Sequence, residues 1–534
     1  MEMQNQQLVT LSVDRSENQL ISSVPSGERR ASSYCIFVKL PKRHDRVLLV
    51  HGYTGAYDEV SLDVAAFLSS RRAVSKPLYG KWSPEFNGIT HEPTPSEETL
   101  AELENRGYLT TLTVAQEKER LRTIAGLVHS SESKGYSYIL VPSYDCNLRC
   151  PYCFQDYMRT DPSFQPKLKR MTPELVDRML AGILDLENAD LDSKMDARQF
   201  TFFGGEPLLA ANREIVGYIV RRASVLGPAV FGAVTNGTEL ETYCDLLGPD
   251  AISSLQITLD GPPRTHDQFR IYADGHGSFE KIARNIVLAL DRGVLVSIRV
   301  NVCKDNLADI PGLAMEAAQR GWTNYKNFRI YVAPIQPTAN FPNNGRLLNS
   351  YQLGQSLQKM QQEDQLLNVI ERPDDSMKRR ALALFQQPEI DPIADFKASF
   401  CGAHSGMYIF DPFGDIYACW ERMGDSQIRI GRIGTDNKFV YEMPMFQKWR
   451  SRTVATNPTC ESCAYSLQCG GGCAVLAEEI HGEYFSNFCD GFGARFKGAV
   501  ADAYEAFLSE QENPLPVSEQ VVAGDVYETK PGCS

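Results

Sequence analysis

The stretch Tyr138-Ile-Leu-Val-Pro-Ser-Tyr-Asp-Cys146-Asn-Leu-Arg-Cys150-Pro-Tyr-Cys153 governs the reading of the whole chain. It opens on an apolar run of strand character at 138–141 and then places three thiols within eight residues. Clustered thiolates suit an iron–sulfur cube or a zinc ion. Structural zinc asks for a fourth ligand, and no nearby His or Cys supplies one. A cube held by three cysteines would leave one iron open to a substrate or cofactor.

From Tyr136 onward, apolar strands alternate with amphipathic helices. Strands are expected at 138–141, 199–203, 231–235, 255–259, 294–302 and 328–332. Thr172-Pro173-Glu174 supplies an N-cap, a first-turn proline and a first-turn carboxylate to a helix striped by Leu175, Val176, Met179, Leu180, Ile183 and Leu184. Ser278 is expected to open another helix, which Gly293 ends. Six such repeats predict an α/β fold with a parallel sheet curled into a partial (β/α)6 barrel over residues 131–335. In barrels and open α/β sheets the chemistry sits at the C-terminal ends of the strands.

The flanks read differently. Residues 1–32 are polar and aperiodic and are expected to be a flexible leader. Residues 33–130 combine strands at 33–40 and 46–50 with helices at 62–68, 97–106 and 115–128, which describes a winged-helix-like module. Residues 336–396 are Gln-rich and charged and read as a helical bridge. Residues 397–495 are dense in cysteine and glycine, and 496–534 read as a C-terminal helix with a loose tail.

Composition narrows the function. Fifty-four Lys plus Arg stand against 67 Asp plus Glu, a net charge of −13, which disfavours a basic surface for nucleic acid. The sequence has no membrane-length apolar run and no signal-peptide core, so the expected location is cytoplasmic. In that reducing compartment, clustered cysteines are ligands more often than disulfides. Ten of the 14 are clustered; Cys35, Cys244, Cys303 and Cys533 are scattered and read as buried or incidental thiols.

Further motifs fall at the ends of the expected strands. Gly204-Gly205-Glu206-Pro207 follows the second; alone it would be an ordinary turn, but glycines also let backbone approach a ligand, and the carboxylate can pair with an ammonium. Thr235-Asn236-Gly237 and Thr258-Leu259-Asp260-Gly261 close the next two strands, with Asn236 read as a turn residue. Arg299 and Asn301 share one face of the fifth strand. His266, Asp267 and Arg270 form either a solvated loop or part of the cavity. A second cysteine group runs Cys401, Gly414, Cys419, then Cys460-x2-Cys463-x5-Cys469-x3-Cys473-x15-Cys489, for which a zinc ribbon is the simpler alternative.

The three-then-two spacing followed by Phe154, with the Gly-Gly-Glu-Pro segment downstream, resembles the radical S-adenosylmethionine (SAM) enzymes, and the second cysteine group resembles their SPASM extension. The resemblance covers roughly residues 136–495, and only the last cysteine gap is shorter than the usual form. It implies three [4Fe–4S] clusters: a SAM-binding one on Cys146, Cys150 and Cys153, an auxiliary one on Cys460, Cys463, Cys469 and Cys489, and a second auxiliary one on Cys401, Cys419 and Cys473 with an open or non-cysteine fourth position, for which His404 is a candidate. It further implies SAM contacts from Gly204, Gly205, Glu206, Pro207, Thr258, Arg299 and Asn301.

The implied chemistry is generation of a 5′-deoxyadenosyl radical that abstracts hydrogen from a residue of a ribosomally made precursor peptide, forming a crosslink or other side-chain change. Flavodoxin or ferredoxin would donate the electron, and the N-terminal module would bind the precursor's leader by strand addition. A sulfatase-maturase-like oxidase is the alternative. That reading expects an acid directly after the second SPASM cysteine, where this chain has Trp420 and then Glu421; both are candidate catalytic residues. A non-catalytic iron–sulfur or zinc scaffold is the rival of another class.

Overall fold

The computed structural model describes residues 28–72, 94–189, 196–387 and 389–512. The expected leader up to residue 27 and the expected tail from residue 513 lie outside them. The chain divides into two compact units, one from described residues within Met1–Ser131, Asp374–Cys401 and Arg452–Cys533, the other from Glu132–Pro373 and Gly402–Ser451. Among the described residues, no helix is long and apolar enough to cross a membrane.

In the first unit, β1 (Arg30–Ala31) pairs with β5 (Leu109–Thr110), while β2 (Cys35–Lys39), β3 (Arg46–His51) and β4 (Tyr57–Ser61) form an antiparallel sheet. The runs in β2 and β3 are apolar at successive positions because both faces of that sheet are covered. Ile36, Val38, Leu48 and Val50 pack with Leu384 and Phe385 of helix Asp375–Gln386 and with Phe496, Val500, Tyr504 and Phe507 of helix Phe492–Glu512. Cys35, Phe37, Val47 and Leu49 face the other way, onto Phe67, Leu68, Leu100 and Leu103 of helices Leu62–Ser70 and Glu97–Asn105. The N-terminal sheet thus shares one core with residues that the sequence places in the bridge and the C-terminal helix.

Buried polar groups close this unit. Asp58 accepts from Arg106 Nε (2.7 Å) and Tyr108 OH (2.8 Å), tying the helix before Gly107 to β4. Glu117 accepts from Ser32 Oγ at 2.6 Å and Arg30 Nη2 at 2.7 Å, which fixes helix Val114–Ser133 against β1.

The second unit is the α/β part. β6 (Ser137–Leu140), β7 (Arg198–Phe202), β8 (Ala229–Thr235), β9 (Ile252–Thr258), β10 (Leu295–Val302) and β11 (Phe328–Pro334) are parallel and adjacent in sequence order, within a few residues of the expected bounds. A seventh short strand, β12 (Ile370–Glu371), extends one edge. On the other edge β13 (Met407–Phe410) pairs parallel with β6, and β14 (Asp415–Tyr417), β15 (Gly431–Ile433) and β16 (Phe439–Tyr441) follow antiparallel, giving a mostly parallel sheet of eleven strands. β10 shows how the site is made: Val296, Ile298, Val300 and Val302 are buried, while Ser297, Arg299 and Asn301 alternate with them on the other, half-buried face.

Helix Pro173–Ala189 starts as expected, with Leu175 N–H donating to Thr172 Oγ1 at 3.3 Å. Ser278 does not cap helix Phe279–Asp291. Asp267 Oδ1 takes the N–H groups of Ser278 and Phe279, at 2.9 and 3.0 Å, and the Ser278 hydroxyl instead donates to Arg270 O at 2.6 Å. A carboxylate reaching over from the preceding helix, Pro263–Phe269, outcompetes the serine for the helix's free N–H groups.

Candidate active site

Beyond β6 the chain turns through Pro142 to Asp145 into Cys146, and the segment after β7 straps that turn. Gly205 N–H donates to Ser143 O at 3.3 Å and Glu206 N–H to Asp145 O at 2.7 Å. Gly204 has φ +135°, and a Cβ there would stand 2.6 Å from Ser143 O; at Gly205 it would stand 2.3 Å from Asp145 O. Both glycines are therefore required by an approach of backbone to backbone, whatever else they admit.

Glu206 is 2% exposed and receives Thr235 Oγ1 and Asn236 N–H at 2.5 Å each, and Leu208 N–H at 2.8 Å. Burial pushes its carboxyl up to about 7 despite these donors. The side chain ties the end of β7 to the end of β8. Asn236 is the expected turn residue, its Oδ1 accepting from Thr238 N–H at 2.9 Å, and its amide donates to Asn147 Oδ1 at 2.8 Å beside the cysteine loop.

Within that loop, Cys150 is buried and Cys146 and Cys153 are half-buried. Burial pushes the thiols of Cys146 and Cys150 up to about 11 and about 12, opposed chiefly by the charge of Arg159 for Cys146 and of Arg270 for Cys150. Arg159 Nη2 donates to Cys153 Sγ at 3.3 Å, and Leu148 N–H to Cys146 Sγ at 3.5 Å.

Three buried donors nearby, Nε of Arg159, Nε of Arg270 and Nε2 of Gln155, have no hydrogen-bond partner. Unmet donors beside three thiols, two of them guanidinium nitrogens, fit an anionic iron–sulfur cluster, whose charge would offset their burial. Among the described residues no group of three His, Cys, Asp or Glu closes on a single metal ion. Thiols spread over separate irons of a cube meet no such demand.

The expected SAM residues gather beside this loop. Thr258 ends β9 in register with Arg299 of β10. Arg299 Nε donates to Asn301 Oδ1 at 2.9 Å, and Asn301 N–H to Asp260 Oδ1 at 3.0 Å. Tyr152, between two of the cysteines, donates its hydroxyl to Asp260 and receives Arg270 Nη1 at 2.9 Å. His266 and Arg270 are buried, so their segment is no solvated loop: His266 Nε2 lies 3.0 Å from Ser278 Oγ, under the network. Sequence reading missed Tyr152 and Arg159. Tyr152's position inside the cysteine motif was a usable signal; Arg159 had none.

Beyond β14, Cys419 leads into a turn at Trp420–Arg422. Trp420 stacks on Phe203, the residue between β7 and the glycine strap, and Glu421 is exposed. Asp411, after β13, accepts Tyr144 OH at 3.1 Å, binding this hairpin to the turn before Cys146. His404 is buried, with Nδ1 3.0 Å from Trp449 O and its ring stacked on that indole.

The remaining cysteines lie mostly in the first unit. Burial and then the charges of Cys469, Cys463 and Cys489 raise the Cys460 thiol, so these four stand within electrostatic reach of one another. Asn487 Nδ2 donates to Cys489 Sγ at 3.1 Å. Cys401 and Cys473 belong to the same unit, and Cys419 to the second.

Residues 140–317 match the Radical SAM superfamily. GTP 3′,8-cyclase of Caulobacter vibrioides is 28% identical over 35% of this chain and 50% of that protein, and a cysteine-type anaerobic sulfatase-maturating enzyme of Clostridium novyi 30% identical over 29% and 40%. The chain thus spans about half the length of the first curated relatives it matches. Mycofactocin maturase MftC of Mycobacterium tuberculosis is 26% identical over 62% of this chain and 76% of that protein. Native anSMEcpe with bound AdoMet and Cp18Cys peptide has the same fold, with TM-score 0.52 and 18% identity over 70% of this chain and 99% of that one.

Proposed function

We propose, from a chain whose residues 140–317 form a radical SAM domain, that the protein is an enzyme maturing a ribosomally made precursor peptide by hydrogen abstraction from one of its side chains. The observation that carries this reading is the cysteine loop strapped by Gly204 to Glu206 at the C-terminal mouth of the parallel strands, beside the polar group of Tyr152, Asp260, Arg299 and Asn301. The likeness to the mycofactocin maturase, over 62% of this chain, supports a maturase.

Cys146, Cys150 and Cys153 would hold the cluster, and Thr258, Arg299 and Asn301 would bind the SAM. When bound, the two supply a one-electron reductive cleavage that delivers a 5′-deoxyadenosyl radical. The chain's own residues orient the substrate and exclude water around it. Cys460, Cys463, Cys469 and Cys489 would hold one auxiliary cluster, and the sequence resemblance assigns Cys401, Cys419 and Cys473 to a further one, for three [4Fe–4S] clusters in all. The donor is a flavodoxin or ferredoxin of the cytoplasm, and the N-terminal sheet receives the leader by strand addition.

The test is anaerobic incubation of the reconstituted protein with SAM, dithionite and synthetic short peptides encoded beside its gene. Mass spectrometry should find 5′-deoxyadenosine together with a peptide that has lost hydrogen. Absence of 5′-deoxyadenosine in a fully loaded sample would leave only the scaffold reading. The sulfatase-maturase reading stands second because Glu421 lies one place beyond its expected acid; modification of a sulfatase-derived peptide in place of the neighbouring peptides would favour it.

A further inference from the structure

We infer that Arg159 sets the reduction potential of the cluster held by Cys146, Cys150 and Cys153, its guanidinium stabilising the one-electron-reduced form; this rests on the radical SAM reading of that loop.

Arg159 is 7% exposed, on the short helix Tyr157–Thr160. Its Nη2 reaches Cys153 Sγ at 3.3 Å, and its Nη1 donates to Tyr144 O at 3.3 Å. The third donor, Nε, has no partner. The nearest carboxylate in its ion-pair range, Asp156, stands off at 4.0 Å. Arg270, by comparison, donates to the Tyr152 hydroxyl, which in turn donates to Asp260, and its charge acts on Cys150 without a hydrogen bond to the sulfur. Of the two guanidinium groups whose charge acts on these thiols, Arg159 is the one that donates directly to a ligand sulfur.

A cluster gaining one electron, with no proton taken up, gains one negative charge. A fixed cation in contact with a ligand sulfur stabilises that charge more than the oxidised state, in a setting where burial weakens screening. A hydrogen bond from an ionised donor to the ligand acts in the same direction. Arg159 touches a ligand and not the reacting atoms, so it is a positioning residue whose signature is a potential.

The experiment is an EPR-monitored titration of the reconstituted full-length protein with dithionite. The barrel signal is defined as the one missing from the Cys146/Cys150/Cys153→Ala variant. At a fixed ambient potential, Arg159→Gln should lower the ratio of reduced to oxidised cluster at least tenfold, a fall of about 59 mV for one electron. Arg159→Lys, which keeps the charge, should recover most of it. Asp156→Asn, which removes the opposing charge and leaves Arg159 in place, should shift the potential upward, and it decides the matter if Arg159→Gln does not retain iron.

A loaded cluster with an unmoved potential in Arg159→Gln overturns the inference and leaves the radical SAM reading intact. So does a potential in Asp156→Asn that is unmoved or lowered. If wild type shows no signal that depends on the three cysteines, the radical SAM reading itself fails.

Discussion

The indole of Trp420 lies on the ring of Phe203, with centroids 5.0 Å apart and planes 20° from parallel. Phe203 leads directly into Gly204, so the residue after Cys419 is fixed at the mouth of the strands beside the strap of the cysteine loop. A stack of this kind is worth about 0.5–1.5 kcal/mol beyond the area it buries.

Trp420→Ala should therefore reduce peptide modification by about twofold to twelvefold, the rate equivalent of that energy, while substrate-free SAM cleavage changes little. Trp420→Phe should retain most activity. Equal losses in peptide modification and substrate-free cleavage would mean that the stack holds the barrel together and does not line the substrate's path.

Replacing Cys146, Cys150 and Cys153 together by Ala should abolish 5′-deoxyadenosine formation and leave the iron bound through the second cysteine group. Iron analysis and product chromatography check the two halves separately. Turnover that survives in this variant refutes the role given to the loop.

Much of this architecture was legible because the parallel strands are buried apolar runs separated by striped helices, and their order followed from that alternation. β12 to β16 were not legible: strands of two to four residues carry no period. Cysteine spacing marked the site, and strand ends marked Thr258, Arg299 and Asn301. Tyr152 and Arg159 escaped because their roles depend on what the fold brings to them, as with the Asp260 carboxylate reached from 108 residues away.

The shared core of the first unit makes removal of residues 33–130 a disruptive change. It would uncover Phe385, Phe496, Val500, Tyr504 and Phe507, which pack against Ile36, Val38, Leu48 and Val50. Such a truncation should yield poorly soluble protein, or strong loss of amide-exchange protection in helix Phe492–Glu512. Full retained protection would show that the helices hold without the sheet. Leader binding is better probed by single substitutions along β4.

At Gly205 an added methyl would meet two backbone carbonyls, of Tyr144 and Asp145, both at 2.3 Å. Backbone cannot yield as a flexible side chain does, so Gly205→Ala should cost about 1–3 kcal/mol and pull the strap from the cysteine loop. The expected readout is a lower iron content of the barrel cluster with the second cysteine group still loaded. Equal loading of both would show that the strap is dispensable to the loop.

Asp411 gives a pH dependence whose sign can be worked out. It is 1% exposed, accepts Phe413 N–H, Asp415 N–H and Tyr144 OH, and has its carboxyl raised from 3.8 to about 7 by burial and then by the charge of Asp415. Because the folded chain holds this proton more tightly than the unfolded one, the associated stability is full below about pH 4 and is lost as pH rises through about 7. The slope contributed by one such group is at most about 1.4 kcal/mol per pH unit. Urea unfolding at pH 5, 6, 7 and 8 should show wild type losing stability relative to Asp411→Asn across that window, since the amide cannot ionise. A constant difference between the two proteins would mean that Asp411 is already ionised at pH 5, held by its three donors.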